Sequence, residues 1–386
     1  MLPLLQQINS CMEHYIREES KMTDSIDIKD LMGKFSMDAL ASCAFGVDSG
    51  SFTNLNSDSE FVKHAKIIFN FVSASAIITN TIAIFTPAVV KKFFYNLGFK
   101  NFATVANIKS HKFFFGVAEA SIKQRKESKT RRNDLIDLMI DATEGTFDSV
   151  EDEKSYDNKS EIEPNLLKRH EKKSKEIDYD MAISTAGIML VVGYDTTATT
   201  MSWILYELAL NQDCQDTLLE EIENAKRSGS LSYDTIQSLP YLDAVIHETL
   251  RRHPVIPALE RVCTKEYKIP DSDLVIKEGE LVRISNMGIC FDPEIFPNPE
   301  EWNPENFSKD NRANRSPYSF MGFSLGPRNC MAMRFAMFEM KCAISNLVSN
   351  FKVLPTDKTV QNAEIGPANI TGASKDGLYV KFESRT

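Results

Sequence analysis

No CxxC pair occurs anywhere in the 386 residues. The seven cysteines stand apart at 11, 43, 214, 263, 290, 330 and 342, an odd number at irregular spacing. That excludes a disulfide framework and a zinc ribbon, and reduced thiols on a cytosol-facing chain are expected. Residues 1–20 have neither a basic n-region nor a long apolar core, so no signal peptide is expected. Positive charge is not in excess: 44 Lys and Arg face 54 Asp and Glu, for a net charge of −10. This balance argues against nucleic acid as the main partner. Internal repeats are missing as well. The longest stretch without charge, residues 67–90, has the length of a membrane span, but Asn70, Asn80 and Pro87 interrupt it. Two amphipathic helices with a greasy turn are the expectation there.

What is present suits a soluble globular protein with a large core: 42% of residues are hydrophobic and 25% charged. The chain reads as mainly α with a small β part. Between 25 and 46, Ile28, Leu31, Met32, Phe35, Met37, Leu40 and Ala41 recur near a 3.6-residue period. Asp27 or Ser25 would cap that helix and Gly46 would end it. A further helix fits 111–129. Residues 151–178 are dense in charges of both signs and nearly free of aromatics, which reads as a solvated linker within a single domain, 1–386. Residues 179–212 lack proline, carry few charges and are apolar nearly all round. They read as a central helix roughly 50 Å long. Helices are expected at 213–228 and 239–253, short strands within 255–270 and 274–285, loop over 291–329, and a helix over 330–350.

Three stretches carry possible chemistry. The first is FSLGPRNC, 323–330. Gly326 and Pro327 turn the chain, and Cys330 is expected in the first turn of the next helix, facing free N–H groups, with Arg328 two residues away. These features favour a thiolate. Three readings stand: a buried core thiol, a nucleophile served by one of six histidines, or a single axial ligand to haem iron. The second is VVGYDTTATT, where Asp195, Thr196 and Thr197 interrupt an apolar helix and Gly193 admits a close approach. This reads as a polar notch, or as a packing notch whose hydroxyls bond the carbonyl four residues back. The third is HETLRRHP, with Glu248 and Arg251 on one helix face; a surface ion pair would look the same.

In this order the three stretches resemble the cytochrome P-450 family of haem-thiolate monooxygenases. The cysteine loop FxxGxRxCxG is matched by Phe323, Gly326, Arg328 and Cys330, the oxygen-helix motif by Gly193, Asp195, Thr196 and Thr197, and the ExxR pair by Glu248 and Arg251. Pro304, Glu305 and Phe307 resemble the segment before the cysteine loop, and Arg261 in LERVC matches a propionate-binding arginine. The wording is most similar to the microsomal, xenobiotic-metabolising branch, including insect detoxification members. The resemblance implies haem (iron-protoporphyrin IX) ligated by Cys330, with Arg328 and Arg261 on its propionates and Phe323 packed near the ring. It assigns Thr196 and Asp195 to holding and relaying protons, and gives Glu248 and Arg251 a structural role. It further implies a lipophilic small-molecule substrate, electrons from NADPH–cytochrome P-450 reductase with cytochrome b5 as a second donor, and the cytosolic face of the endoplasmic reticulum membrane. The reductase would dock on Lys309, Arg312, Arg315, Arg334 and Lys341, which otherwise read as a solvated face.

The chain departs from the family pattern in places. Ala332 stands for the glycine two after the cysteine, and Val192 for a smaller residue beside Gly193, where it would crowd the oxygen groove. Asn306 stands where the family usually has an arginine completing the Glu248–Arg251 network, which should leave that core less tightly tied. Against the family, Met1 falls near the start of the fourth helix, so the chain is expected to lack the N-terminal anchor, first strands and first helices. The alternative to an enzyme is therefore a truncated, inactive family fragment unable to hold haem stably.

Overall fold

The computed structural model describes residues 1–53, 57–69, 90, 108–145, 177–366 and 371–385. The uncharged stretch from 70 to 89 and the charged segment from 151 to 176 lie outside the described residues. The chain divides into two compact units: Gly33–Asp195 with Pro3–Ile8 and Met1, and Thr196–Thr386 with Asn9–Met32 and Leu2.

Helix α1 spans Leu2–Glu19, the short strand β1 spans Ile26–Asp27, and α2 spans Ile28–Leu40. All seven apolar positions read from the 3.6-residue period of α2 are buried. Asp27 caps it as expected: Oδ1 accepts from the N–H of Lys29 at 2.9 Å and of Asp30 at 3.3 Å. A π-turn, Ala41–Phe45, extends it, and Gly46 closes it at φ 71°.

In the first unit, α3 (Glu60–Phe69) packs against α4 (Ile108–Ser128), and α4 against α5 (Leu135–Glu144). A buried knot ties α4 to α5. Arg125 gives Nη1 to Asp134 at 3.1 Å and Asp137 at 3.0 Å, and Nη2 to Asp134 at 2.9 Å. Asp134 also caps α5 by accepting from the Asp137 N–H. Burial pushes the Asp137 carboxyl up, but the N–H groups of Arg132 and Asn133 and the Arg125 guanidinium hold it below its usual range.

The long helix forms as one element, α6 (Tyr179–Leu210), and the division between units falls inside it. By length and composition it could cross a bilayer, yet from Thr197 to Ala209 every residue is buried in protein, which marks it as a core helix.

The second unit holds α7 (Gln212–Arg227), α8 (Tyr233–Gln237), α9 (Pro240–Arg252), β2 (Ala258–Val262), β3 (Tyr267–Lys268), β4 (Val275–Ile276), β5 (Leu281–Ser285), α10 (Asn286–Cys290), α11 (Lys309–Ala313), α12 (Met333–Asn350), β6 (Phe351–Leu354) and β7 (Tyr379–Ser384). β1, β7 and β6 form an antiparallel sheet; β2 pairs with β5 and β3 with β4 as nested hairpins, where strands were expected. In the core, Trp203 stacks on His253 with ring centroids 3.8 Å apart and planes 4° from parallel. His253 Nε2 lies 2.6 Å from Glu207 Oε1. Burial lowers the His253 pKa and Glu207 only partly opposes this.

Candidate functional site

The loop around Cys330 is shaped by three backbone bonds. Ser324 N–H donates to Met321 O at 2.9 Å, Asn329 N–H to Gly326 O at 3.0 Å, and Cys330 N–H to Phe323 O at 2.8 Å. Gly326 has φ 77°, which only glycine adopts without strain, and opens a 3-10 turn, Gly326–Arg328. The last bond brings Phe323 and Cys330 together and closes the loop. The Cys330 side is exposed, as are Arg328 and Gly326; Phe323 is half-buried and Met331 is 79% exposed.

The expected helix at 330–350 begins later, at Met333, so Cys330 precedes the first turn instead of sitting in it. The cause is local. The Cys330 N–H is committed to Phe323, and Asn329 is extended at ψ 167°, so the chain winds only from Ala332. Ala332, at φ −95°, occupies the N-cap position without a side-chain cap and without strain, so the missing glycine costs nothing there. Ser324 escaped the sequence reading. It is a non-glycine at φ 61°, and its hydroxyl is buried without a hydrogen-bond partner. Nothing in a lone serine signals a left-handed backbone.

On α6, Asp195 and Thr197 are buried, Thr196 is half-buried and Val192 is 53% exposed. The close approach that Gly193 allows is made by Leu40: a Cβ at 193 would stand 3.0 Å from both Leu40 methyls. Ser36 Oγ donates to Gly193 O at 3.5 Å. One turn on, Thr200 Oγ1 donates to Thr196 O at 3.0 Å and Ser202 Oγ to Ala198 O at 2.6 Å, the back-bonding expected of hydroxyls within a helix.

Glu248 and Arg251 are not a surface pair: both are 0% exposed. Arg251 gives Nε and Nη2 to the two Glu248 oxygens at 2.8 Å each. Its remaining donors reach Cys290 O at 2.9 Å, Pro299 O at 2.8 Å and Glu301 O at 2.8 Å, so all five are used. Glu248 Oε1 also accepts from Asn303 N–H at 2.8 Å and from Asn306 Nδ2 at 3.2 Å. Asn306 thus keeps a bond to the network while bringing no charge. Trp302 Nε1 donates to Thr249 Oγ1 at 3.1 Å beside it. Burial pushes the nearby Cys290 thiol up to about 11, an inert cysteine in contrast to exposed Cys330.

Arg261 stands on a separate element, β2, exposed and paired in register with Val282 of β5. The five cations read as a docking face separate in the structure. Lys309 and Arg334 are exposed. Lys341 is buried: Nζ lies 2.9 Å from Asp243 Oδ1 and donates to Gln237 O at 2.8 Å, so it belongs to the core. Arg312 Nη1 is committed to Asp243 Oδ2 at 2.8 Å. Arg315 is half-buried against two aromatic rings. Burial pushes Asp243 up, but His247 and Lys341 outweigh it and hold the carboxyl well below its usual range.

The donor set bears on what the site can hold. Among the described residues no group of three or more His, Cys, Asp or Glu side chains is placed to bind a metal ion. An exposed thiol on a closed loop with an exposed guanidinium beside it fits a metal whose other positions are filled by a macrocycle bearing carboxylates.

Comparison with known proteins agrees with this fit. The cytochrome P-450 family model matches residues 1–380. Cytochrome P-450 6k1 of Blattella germanica is 31% identical across 100% of this chain and 71% of its own length. Cytochrome P-450 6B1 of Papilio polyxenes is 32% identical across 100% of the chain and 72% of its own. Probable cytochrome P-450 6a14 of Drosophila melanogaster is 31% identical, across 98% and 70%.

Proposed function

From the premise that the chain belongs to the cytochrome P-450 family, and is thereby a haem-thiolate monooxygenase, we propose that it oxidises lipophilic small molecules with dioxygen and electrons from NADPH, passed on by a separate flavoprotein reductase. Cytochrome b5 would serve as a second electron donor. The observation that carries this reading is the exposed Cys330 on the loop closed by its own N–H. Haem bound there supplies the activation of dioxygen. The protein's part is to hold and orient it. Cys330 would give the thiolate, Arg328 and Arg261 would pair with the propionates, and Phe323 would pack beside the ring. Gly326 makes the turn that presents the thiolate. Thr196 and Asp195 hold and deliver protons at the face of α6 where Thr196 is half-buried. Glu248 and Arg251 fix the chain from Cys290 to Asn306 in a structural role.

In this reading residues 1–386 act as one catalytic domain with 151–178 as a linker inside it, at the cytosolic face of the endoplasmic reticulum membrane. Xenobiotic metabolism is the physiological role most in keeping with the insect relatives. The test is to express the chain with haem, reduce it and add carbon monoxide. A thiolate-type Soret band supports the enzyme; its absence supports the alternative, a family fragment that does not retain haem. Thr196→Ala should leave that band in place and uncouple electron use from product formation; unchanged coupling would remove the proton role.

A further inference from the structure

The ring of Phe296 is fully buried with two guanidiniums over it: Arg251 Cζ lies 5.2 Å from its centroid and Arg315 Cζ 4.5 Å. Arg315 Cζ is also 5.2 Å from the centroid of Phe307, the residue after Asn306. Phe307 and Phe296 belong to one small apolar cluster with Ala244, and Phe320 packs on Phe307 edge-on at 4.9 Å. Arg315 Nε donates to Asn311 O at 3.1 Å, which fixes the guanidinium at the end of α11. Two aromatic faces hold a cation well, and half-burial strengthens the attraction.

Glu248 and Arg251 balance each other as a pair, and the third side chain of the network, Asn306, is neutral. Glu248 has one cationic partner, Arg251, whose donors are shared with three carbonyls, and its bond from Asn306 is neutral. Burial lowers the Arg315 guanidinium pKa, Glu248 opposes this, and the like charges of Arg251 and Arg312 add to the lowering. We propose that Arg315 is the second guanidinium of the Glu248–Arg251 cluster, held over the same Phe296 ring as Arg251, and that it supplies, from just past the end of α11, the positive charge that Asn306 does not. It is a positioning residue. Through Phe307 and Phe320 it fixes the root of the segment that runs on to Phe323 and Cys330. This role is distinct from reductase docking, for which the same side chain could be mistaken in the sequence.

The test is a double-mutant cycle on the full chain, read by thermal melting and by protease cleavage within 308–325. Neither readout requires haem to be retained, so failure here and failure of the haem-thiolate reading are distinguishable. Arg315→Gln should lower the melting midpoint by about 2–5 °C and speed cleavage severalfold, while Arg315→Lys stays close to the parent. Asn306→Arg should raise the midpoint in the Arg315→Gln background and leave it level or lower with Arg315 present, because two cations then crowd Glu248. In the haem-loaded chain the thiolate-type Soret band should decay faster in Arg315→Gln and recover in the double variant. Arg315→Met, which keeps the apolar stem, serves the same cycle if the Gln variant does not accumulate. If neither neutral variant accumulates, recovery of soluble chain by Asn306→Arg supports the proposal and no recovery overturns it. An unchanged midpoint in Arg315→Gln, or the same Asn306→Arg shift in both backgrounds, also overturns it.

Discussion

The Glu248–Arg251 cluster and the Cys330 loop are both assembled from chain that follows α6, yet they are built in opposite ways. In the cluster each oxygen and each N–H is answered, from residues 39 to 58 positions away, and neither charged side chain reaches solvent. The cysteine loop is held by three backbone bonds spanning at most seven residues, and its sulfur is open. Order is thus concentrated in the buried cluster, not at the reactive residue. A thiol that must bind a large group needs an approach, whereas a buried ion pair needs every polar atom answered.

The comparison breaks most readily at Glu248. Glu248→Ala leaves Arg251 buried and uncompensated, which should cost about 3–5 kcal/mol, read as a fall in the urea midpoint. A loss below 1 kcal/mol would mean that the cluster contributes far less to order than its burial implies. A smaller effect is expected at the bridge between the regions, where Asp243 on α9 meets Lys341 on α12. Its folded pKa is lowered, so its stabilisation is full above the unfolded carboxylate value, about 3.9, and is lost as pH falls below that. The urea midpoint should therefore drop between pH 5 and pH 3, and Asp243→Asn should flatten the drop; an unchanged slope in that variant rejects the assignment. The smallest effect on the fold belongs to Cys330→Ala. An exposed side chain of this size should change stability by about 0.5 kcal/mol or less while the haem-thiolate band disappears entirely. A retained band would displace Cys330 as ligand, and a large loss of stability would show that the loop is not the open region described.

The sequence revealed the helices well where period and punctuation agreed. Asp27 and Gly46 bound α2 as expected, and the long apolar run is one helix to within two residues. It was misleading wherever burial depended on distant partners. An i,i+3 Glu–Arg pair looks the same on a surface and in a core; what buries Glu248 and Arg251 is the chain from Cys290 to Asn306, folded over them. Lys341 read as solvated because its partner, Asp243, lies about a hundred positions earlier. Arg315 read the same way, since nothing in its neighbourhood shows that Phe296 waits beneath it. The start of α12 was misplaced by three residues because the Phe323–Cys330 bond, a contact across a loop, delays winding.

Both indoles of the chain, Trp203 and Trp302, are buried in the unit that begins at Thr196. Tryptophan emission is therefore a private channel into that half of the polypeptide: its red shift on denaturation reports the loss of the Trp203–His253 stack and of the Trp302 bond to Thr249, and it does not report on the knot around Arg125. Far-ultraviolet dichroism, which sums the helices of both units, follows the same curve as emission only if they unfold together.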